Sequence, residues 1–399
     1  MMDLIVRNCA LRNREGLYDV CISNGLIEAV RESGASCSGA GEVVDAEGCL
    51  LTEAFCNAHM HLCKVYTVRM LDSKAIEGYH GSDMGAAMTA IELAARVKEN
   101  YREDWILENV RRCLKRAVEN GNLYIRAFAD VDSKARLEGV KALLKAREEF
   151  KDLIELQVSP FPQDGVVREP GTVELVEKSM EMGCDVVGGI PWIEFTEEDE
   201  RVHIDEMLRI AKKYGKDVSM LVDDAGDPDL RTLEMLAVSA IRNGWQGRCL
   251  AHHARAMSMY RTPYFKKVSA LLKMAGMGIV SDPHTGPLHA KVKELLAEGN
   301  LVCLGQDDVA DAYYPFGQCS MLEVGFLNTH LLWMTTFPEM EVIYDMITRN
   351  AAKCMNVEGY GVEEGCKANL VVLREKSVYE ALWYHEKPKF VIAKGRVVR

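Results

Sequence analysis

His59 and His61 stand one residue apart in NAHMHLCK (57–64), just after the apolar run LLTEAF. Residues i and i+2 of a strand share a face, so both imidazoles can point at one ion. Later apolar runs also end in polar residues: Gln163 after Phe161 and Pro162, Asp223 and Asp224 after MLV, His252 and His253 after CLA, and Gln306, Asp307 and Asp308 after VCLG. A histidine from one of these ends and an acid from another would complete a mixed nitrogen and oxygen set. Such a set holds zinc or iron and lowers the pKa of a bound water toward ~7. His-x-His alone also occurs on ordinary surface strands; the matching strand ends are what raise it to a metal site. Neighbours on a strand face opposite ways, so one of His252 and His253 is expected to be structural or solvent-facing. One of Asp307 and Asp308 is expected to cap the following turn.

A repeated unit must position these ends. Ile106, Leu107, Val110, Leu114, Ala117 and Val118 recur at helical spacing, Gly121 stops the helix, and LYIRAFA follows. ELVEKSMEMG then leads to CDVVGGIP, MLRIAKKYG to KDVSMLV, TLEMLAVSAIRNG to RCLAHH, VSALLKMAG to MGIVSDP, and KELLAEG to NLVCLGQDD. Helices alternating with short, continuous apolar strands predict parallel βαβ units covered on both faces. With LTEAFCNAHMH and DLIELQVSPFP the strands number eight. That predicts the α/β class and a (β/α)8 TIM-like barrel, whose chemistry sits at the C-terminal ends of its strands. An open, doubly wound sheet is less favoured, because no G-x-G-x-x-G follows the first strand.

The chain ends follow another rule. DLIVRNCALRN, LYDVCISNGLIEAV, EVVDAEGCLL, ANLVVL and FVIAKGRVVR alternate with a two-residue period between Gly and Asn turns. They predict a small β-sandwich domain built from both termini, residues 1–52 with 356–399, beside a catalytic barrel over 53–355. SGASCSG (33–39) is expected to be its poorly ordered loop.

Composition narrows the function. The 399 residues are 48% hydrophobic and 27% charged, enough to bury a large core. Formal net charge is −12 with no block of Lys and Arg, which argues against a nucleic-acid or anionic-membrane partner and for a small neutral or polar ligand. The N-terminal MMDLIVRNCALRN carries charges inside its apolar stretch, unlike a signal peptide, and no apolar run reaches the ~18 residues of a membrane span. Thirteen cysteines without a C-x-x-C pair read as free thiols of a cytoplasmic protein.

The motifs resemble the amidohydrolase superfamily, in its cytosine deaminase-like branch. The resemblance rests on His59-x-His61, AHHARAM around His253, GQDDVADAYYPFG around Asp307, FPQDG (161–165), IPWIEFT (190–196) and GVEEGCKANLVVL near the end. LYIRAFADVDS and DLIELQV are equally similar to N-isopropylammelide amidohydrolases. The resemblance implies one divalent metal ion, zinc or iron, held by His59, His61 and Asp307. It also implies that His253 orients the attacking hydroxide or the tetrahedral intermediate, and that Asp307 accepts the water's proton. Gln163 and Asp308 match substrate-binding residues, Trp192 lies in IPWIEFT among them, and Tyr313 takes the place of an aromatic lid. The strand-five pattern of this group is His-x-x-Glu, a ligand followed by a proton shuttle. Here Leu221 replaces the histidine, and Asp224 replaces the glutamate and is expected to move the proton. Gln306, Ala127, Phe128 and Cys63 are further departures.

Leucine cannot ligate, yet three protein ligands and a water still make a catalytic zinc set. The expected function is deamination of a small, cytosine-like nitrogen heterocycle by metal-activated water. Asp223, two residues beyond Leu221, is a further carboxylate that could reach the metal. Two alternatives remain open: a degenerate, non-catalytic binding protein on the same fold, and a hydrolase of cyclic amides or alkylamines. Assembly into a homo-oligomer is left open.

Overall fold

The structure, a computed structural model, describes residues 2–34, 40–71 and 96–399. Most of the SGASCSG stretch (33–39) therefore lies outside the described residues. The N-terminal part folds as β1 (Met2–Leu11), β2 (Tyr18–Ser23), β3 (Leu26–Glu32), β4 (Ala40–Asp45) and β5 (Leu50–Glu53). The first three form an antiparallel meander, and β1 pairs in parallel with β4 along residues 2–7 and with β5 at Ala10 and Leu11.

Eight strands follow: β6 (Phe55–Met60), β7 (Asn122–Asp130), β8 (Glu155–Phe161), β9 (Val186–Gly189), β10 (Asp217–Val222), β11 (Cys249–His253), β12 (Gly278–Ser281) and β13 (Val302–Leu304). Helices alternate with them: α1 (Glu103–Glu119), α2 (Glu138–Glu149), α3 (Thr172–Glu181), α4 (Glu197–Tyr214), α5 (Thr232–Arg242), α6 (Thr262–Ala275) and α7 (Val292–Ala297). Six of these seven helices end at or just before a left-handed glycine, as the Gly stops predicted, with Gly215 and Gly276 closing α4 and α6; α2 ends instead at Phe150.

All pairings among the eight strands are parallel, in one sheet β6-β7-β8 and another β9-β10-β11-β12-β13. The two sheets meet at both seams. Between β8 and β9, Asp185 N donates to Val158 O at 2.8 Å, and Gly188 lies so close that a Cβ there would stand 2.3 Å from Pro160 O. Between β13 and β6, His61 N donates to Asp307 O and Asp307 N to His59 O, each at 2.9 Å. At the end of the strands away from these polar residues, the interior holds Arg126, 1% exposed. Its guanidinium donates to Gln157 Oε1, Ser219 Oγ and Met355 O.

The chain closes with α8 (Met321–Leu331), α9 (Phe337–Met346), α10 (Arg349–Cys354), β14 (Leu370–Val372), α11 (Val378–Tyr384), β15 (Phe390–Ala393) and β16 (Arg396–Val397). β14 lies antiparallel to β5, and β15 and β16 follow it, so strands from both termini share one sheet with its own apolar cluster around Leu4, Val20, Ile22, Leu370 and Ile392.

Between β14 and β15 the chain forms α11, with Ser377 accepting from Glu380 N as its N-cap. Two local expectations change. LTEAFCNAHMH is two strands, not one: the chain breaks at Ala54, leaving β5 to the terminal sheet and β6 to the parallel one. Cys21 is disulfide-bonded, so the cysteines are not all free thiols. Among the described residues, no helix is long and apolar enough to cross a membrane.

Candidate metal centre

The C-terminal ends of β6, β10, β11, β12 and β13 converge on one buried cluster. Three residues at these ends, Asp223, His253 and Asp307, have left-handed backbones, with φ of 47°, 66° and 65°. For a residue with a Cβ this conformation costs roughly 1–2 kcal/mol, and such strain gathers where side chains must be aimed off the regular pleat. Of the pair His252 and His253, neither faces solvent, and His252 takes the structural place, its Nδ1 2.8 Å from His59 Nδ1. The turn at His253 brings both beside His59, with ring centroids 4.7 and 4.8 Å away.

His59 is the hub. Its Nδ1 lies 2.8 Å from His252 Nδ1 and its Nε2 lies 2.9 Å from Asp307 Oδ1, while His61 Nε2 stands 3.7 Å from that same oxygen. Asn57 Oδ1 accepts from His59 N and Gln306 N, locking β6 to β13. Gly305 allows this approach, since a Cβ there would sit 2.7 Å from His59 Cβ.

On the other side, His253 Nδ1 pairs with Asp282 Oδ1 at 2.9 Å, and its Nε2 lies 3.9 Å from Asp224 Oδ2. Arg255 Nε donates to Asp224 Oδ1 at 2.6 Å, and its NH2 donates to Thr285 Oγ1 and approaches Asp307 Oδ2 to 3.9 Å. Ligand atoms of His59, His253, Asp282 and Asp307 all lie within 4.8 Å of one another, as do those of His61, Asp307 and Asp308.

Electrostatics separates these groups. Burial, with Lys64 and His59 nearby, holds His61 neutral, and burial with His59 does the same for His252. Burial also opposes charge on His253, but Asp224, Asp282 and Asp307 outweigh it and push its pKa up to about 9. Burial would raise Asp307, but His253 and His59 pull it well below the ordinary carboxylate range. Its neighbour Asp308 goes the other way, raised by burial, Asp307 and Asp311. Adjacent carboxyls with opposite protonation are a common basis for dividing base and donor roles.

The donor set fits a cation. When the His59 Nδ1–H bonds His252, its Nε2 lone pair faces an Asp307 oxygen 2.9 Å away. Asp307 also stands within hydrogen-bonding reach of the Asp282 carboxylate. Lone pairs so disposed in a dry interior are stabilised by a proton or a cation between them.

An apolar wall flanks the histidines. Phe128, Phe161, Ile190, Trp192, Ile193 and Leu221 form one buried cluster, and Phe128 and Phe161 lie 5.4 and 5.2 Å from the His61 ring. Glu194 and His203 support the wall from behind: His203 Nε2 accepts from Ile190 N, and its Nδ1 lies 2.7 Å from Glu194 Oε1. Opposite the wall, buried Lys64 donates to Gln163 Oε1 at 2.8 Å and lies 5.1 Å from the Tyr313 ring.

The sequence model of the family described as Amidohydrolase family matches residues 42–399. The chain belongs to the amidohydrolase family. It is 31% identical over 399 residues to N-isopropylammelide isopropyl amidohydrolase from Pseudomonas sp. (strain ADP), covering 99% of this chain and 97% of that one. The crystal structure of 5-methylcytosine deaminase from Klebsiella pneumoniae with 5-fluorocytosine is similar with a TM-score of 0.90 and 28% identity, over 99% and 97% of the two chains. The zinc complex of atrazine chlorohydrolase from Arthrobacter aurescens TC1 shares the fold, with a TM-score of 0.76 and 17% identity over 99% and 95%. This amidohydrolase is thus an enzyme of the class that hydrolyses C–N bonds other than peptide bonds, in a metal-dependent family whose fold is a barrel with an extra domain.

Within the amidohydrolase frame, the sequence placed His59, His61, His253, Asp224, Asp307 and Asp308 together, and the structure does so too. Gln163 and Tyr313 meet beside Lys64, and Trp192 joins Leu221 in the wall. Asp223 does not approach the cluster. Its Oδ1 accepts from Thr232 N, Thr232 Oγ1 and Leu233 N, and Tyr260 OH donates to its Oδ2, so it caps α5. Neither Asp307 nor Asp308 caps the turn after β13; Asp311 does, accepting from Tyr313 N and Tyr314 N. Arg255, Asp282 and Lys64 were missed. Asp282 carried a readable signal, standing in SDP at a strand end like the others; Arg255 and Lys64 lie two and three residues past named histidines.

Proposed function

We propose that this amidohydrolase deaminates a small, cytosine-like nitrogen heterocycle, using one divalent ion, zinc or iron, held by His59, His61 and Asp307. The observation that carries this reading is the convergence of His59 and His61 on one oxygen of Asp307, at 2.9 and 3.7 Å, beside a buried apolar wall. A divalent ion there supplies Lewis acidity, lowering the pKa of water from 15.7 toward ~7.

The side chains take the remaining roles. Asp307 Oδ2 accepts the proton that water loses on adding to the amidine-like ring carbon. His253, fixed through Nδ1 by Asp282, directs Nε2 toward the oxygen that has added. Asp224, anchored on one oxygen by Arg255, delivers a proton from Oδ2 to the departing exocyclic nitrogen. Water and the amino heterocycle so become an oxo heterocycle and ammonia.

Recognition follows from donor bookkeeping. Lys64 can only donate, so Gln163 turns Oε1 toward it and leaves its amide N–H groups for the ligand. Asp308, whose pKa burial, Asp307 and Asp311 raise, is also a donor in its protonated form. The ring edge facing them must accept hydrogen bonds, as a carbonyl or pyridine-type nitrogen does. Trp192 contributes to the apolar face and Tyr313 closes the mouth.

The architecture proposed with this reading is a closed (β/α)8 barrel over 53–355 and a β-sandwich from 1–52 with 356–399. The seam contacts and the separate apolar cluster of the terminal strands support it. A second reading, release of an alkylamine instead of ammonia, is favoured by the 31% identity over almost the whole chain to the relative named N-isopropylammelide isopropyl amidohydrolase.

The test is a panel of aminopyrimidines, pterins and N-alkyl amino-triazines with metal-loaded protein, reading ammonia and amine separately. Ammonia release supports the first reading and alkylamine release the second. Protein that retains no divalent metal and hydrolyses no member of the panel would sink both.

A further inference from the structure

Leu221 leaves β10 without a nitrogen donor, and across the site β12 offers a carboxylate with one oxygen that, among the described residues, receives only a long hydrogen bond. Asp282 follows β12 directly and is 3% exposed. One oxygen holds His253 Nδ1; the other receives a long 3.3 Å contact from Thr285 Oγ1 and lies 3.8 Å from Arg255 NH2. The carboxylate also stands within hydrogen-bonding reach of Asp307.

Geometry separates Asp282 from Asp224 and Asp223, while Asp308 groups with His61 and Asp307 and not with His59. The Asp282 ligand atom shares a 4.8 Å circle with those of His59, His253 and Asp307. Ligands of a tetrahedral ion, each ~2.0–2.2 Å from it, lie roughly 3.4 Å apart, so His59, Asp307 and Asp282 suit one coordination shell, with His253 held beside it by Asp282 Oδ1. Asp224 is tied to Arg255, and Asp223 is consumed in capping α5. Leu221 is buried among Phe128, Phe161 and Trp192, and nothing polar takes its place on β10.

We propose that Asp282 is a metal ligand in this chain, supplying from β12 the donor that Leu221 withholds on β10. This rests on the reading that a divalent ion is held by His59, His61 and Asp307. The ion is then held from β6, β12 and β13 by His59, Asp307 and Asp282, whose ligand atoms lie within 4.8 Å of one another, with His61 reaching it from its place 3.7 Å from the Asp307 oxygen that His59 also meets. Such a shell is harder than one with a third imidazole and tolerates iron or manganese as well as zinc. Asp282 keeps its grip on His253, so one carboxylate both ligates and orients the residue facing substrate.

A purely orienting Asp282 would behave differently, and a double-variant cycle separates the cases. Metal per chain is measured by elemental analysis on protein purified without chelator. Affinity for added Zn2+ is then measured by chelator competition, with the metal-induced rise in thermal midpoint as a second readout. Asp282→Asn retains an acceptor for His253 but loses the charge. It is expected to bind zinc more than about 100-fold more weakly than the unmodified protein, beyond the roughly 10–100-fold typical of losing a supporting partner. In the Leu221→His background the same substitution is expected to cost less than about tenfold, because a restored imidazole makes the carboxylate dispensable.

An equal loss in both backgrounds, an Asp282→Asn protein that keeps its metal, or unmodified protein that binds no zinc would each overturn the proposal. Should Asp282→Asn fail to fold, Asp282→Glu and the double variant carry the comparison. Zinc binding that behaves as expected without turnover of any heterocycle would count against the deaminase reading alone. Turnover with zinc affinity indifferent to Asp282 would count against this proposal alone.

Discussion

Asp224 shows what one methylene decides. A glutamate at this position could swing; the aspartate is shorter and is pinned by Arg255 at 2.6 Å, with its second oxygen 3.9 Å from His253. If it carries the proton to the leaving nitrogen, Asp224→Asn should lower kcat by roughly 10²–10⁴-fold, the usual worth of general acid–base catalysis. Metal content per chain should stay unchanged, because Asp224 is not a ligand. A variant that loses its metal along with its activity would instead make Asp224 part of the coordination. Gly305 has an equally local consequence. A methyl group there would meet His59 Cβ at 2.7 Å and Val280 Cγ1 at 3.1 Å, so Gly305→Ala should displace His59. The expected result is a folded protein with greatly reduced metal retention, read by circular dichroism and elemental analysis together.

At the scale of elements, α4 does more than cover the sheet. Its His203 reaches Ile190 and Glu194, and so sets the path of the segment carrying Trp192. Thr196 caps the helix by accepting from Asp199 N. In its first turn, Glu200 is pushed up to about 7, first by burial and then by Asp223. A carboxyl whose folded pKa exceeds its unfolded value favours the fold while protonated. Its contribution is full below about 4.5 and is lost as pH rises through about 7. Glu200→Gln removes that loss, so its stability relative to the unmodified protein should rise between pH 5 and pH 8. Urea midpoints of both proteins at the two pH values check this; an offset that does not change with pH would refute it.

Across the whole molecule, polar contacts fasten the terminal strands to the rest of the chain, among them the Thr52 hydroxyl with Tyr344 OH, Lys367 with Glu155 and the Arg12 guanidinium. The Arg12 guanidinium, its side chain 5% exposed, reaches Glu341 at 2.7 Å and Asp345 at 2.8 Å on α9 and lies 4.8 Å from the Tyr344 ring. Both carboxylates are partly hydrated, so removing the cation strands neither. Arg12→Ala should therefore cost about 2 kcal/mol, at the scale of losing a charged hydrogen bond, seen as a lower urea midpoint. Arg12→Lys should recover little of it, because a single ammonium cannot fork between two acids.

The sequence by itself determined the parts governed by local rules. Helical spacing with glycine stops located the βαβ units, two-residue alternation located the terminal strands, and the polar residues at strand ends marked the candidate site. Those signals are short-range, and each is carried by a handful of neighbouring residues. Whatever depended on backbone departing from the regular pleat, or on atoms brought together from distant strands, was decided by tertiary structure. The left-handed turn at His253 put both histidines of the pair beside His59, where alternation left open whether one would face solvent or hold structure. Asp223, two residues from the lost ligand, turned away to cap α5, and Asp282 came in from β12. Pattern reports which face a residue prefers. The neighbour it meets there is set by register, seam closure and the few positions, such as Gly305, where a missing Cβ lets two strands touch.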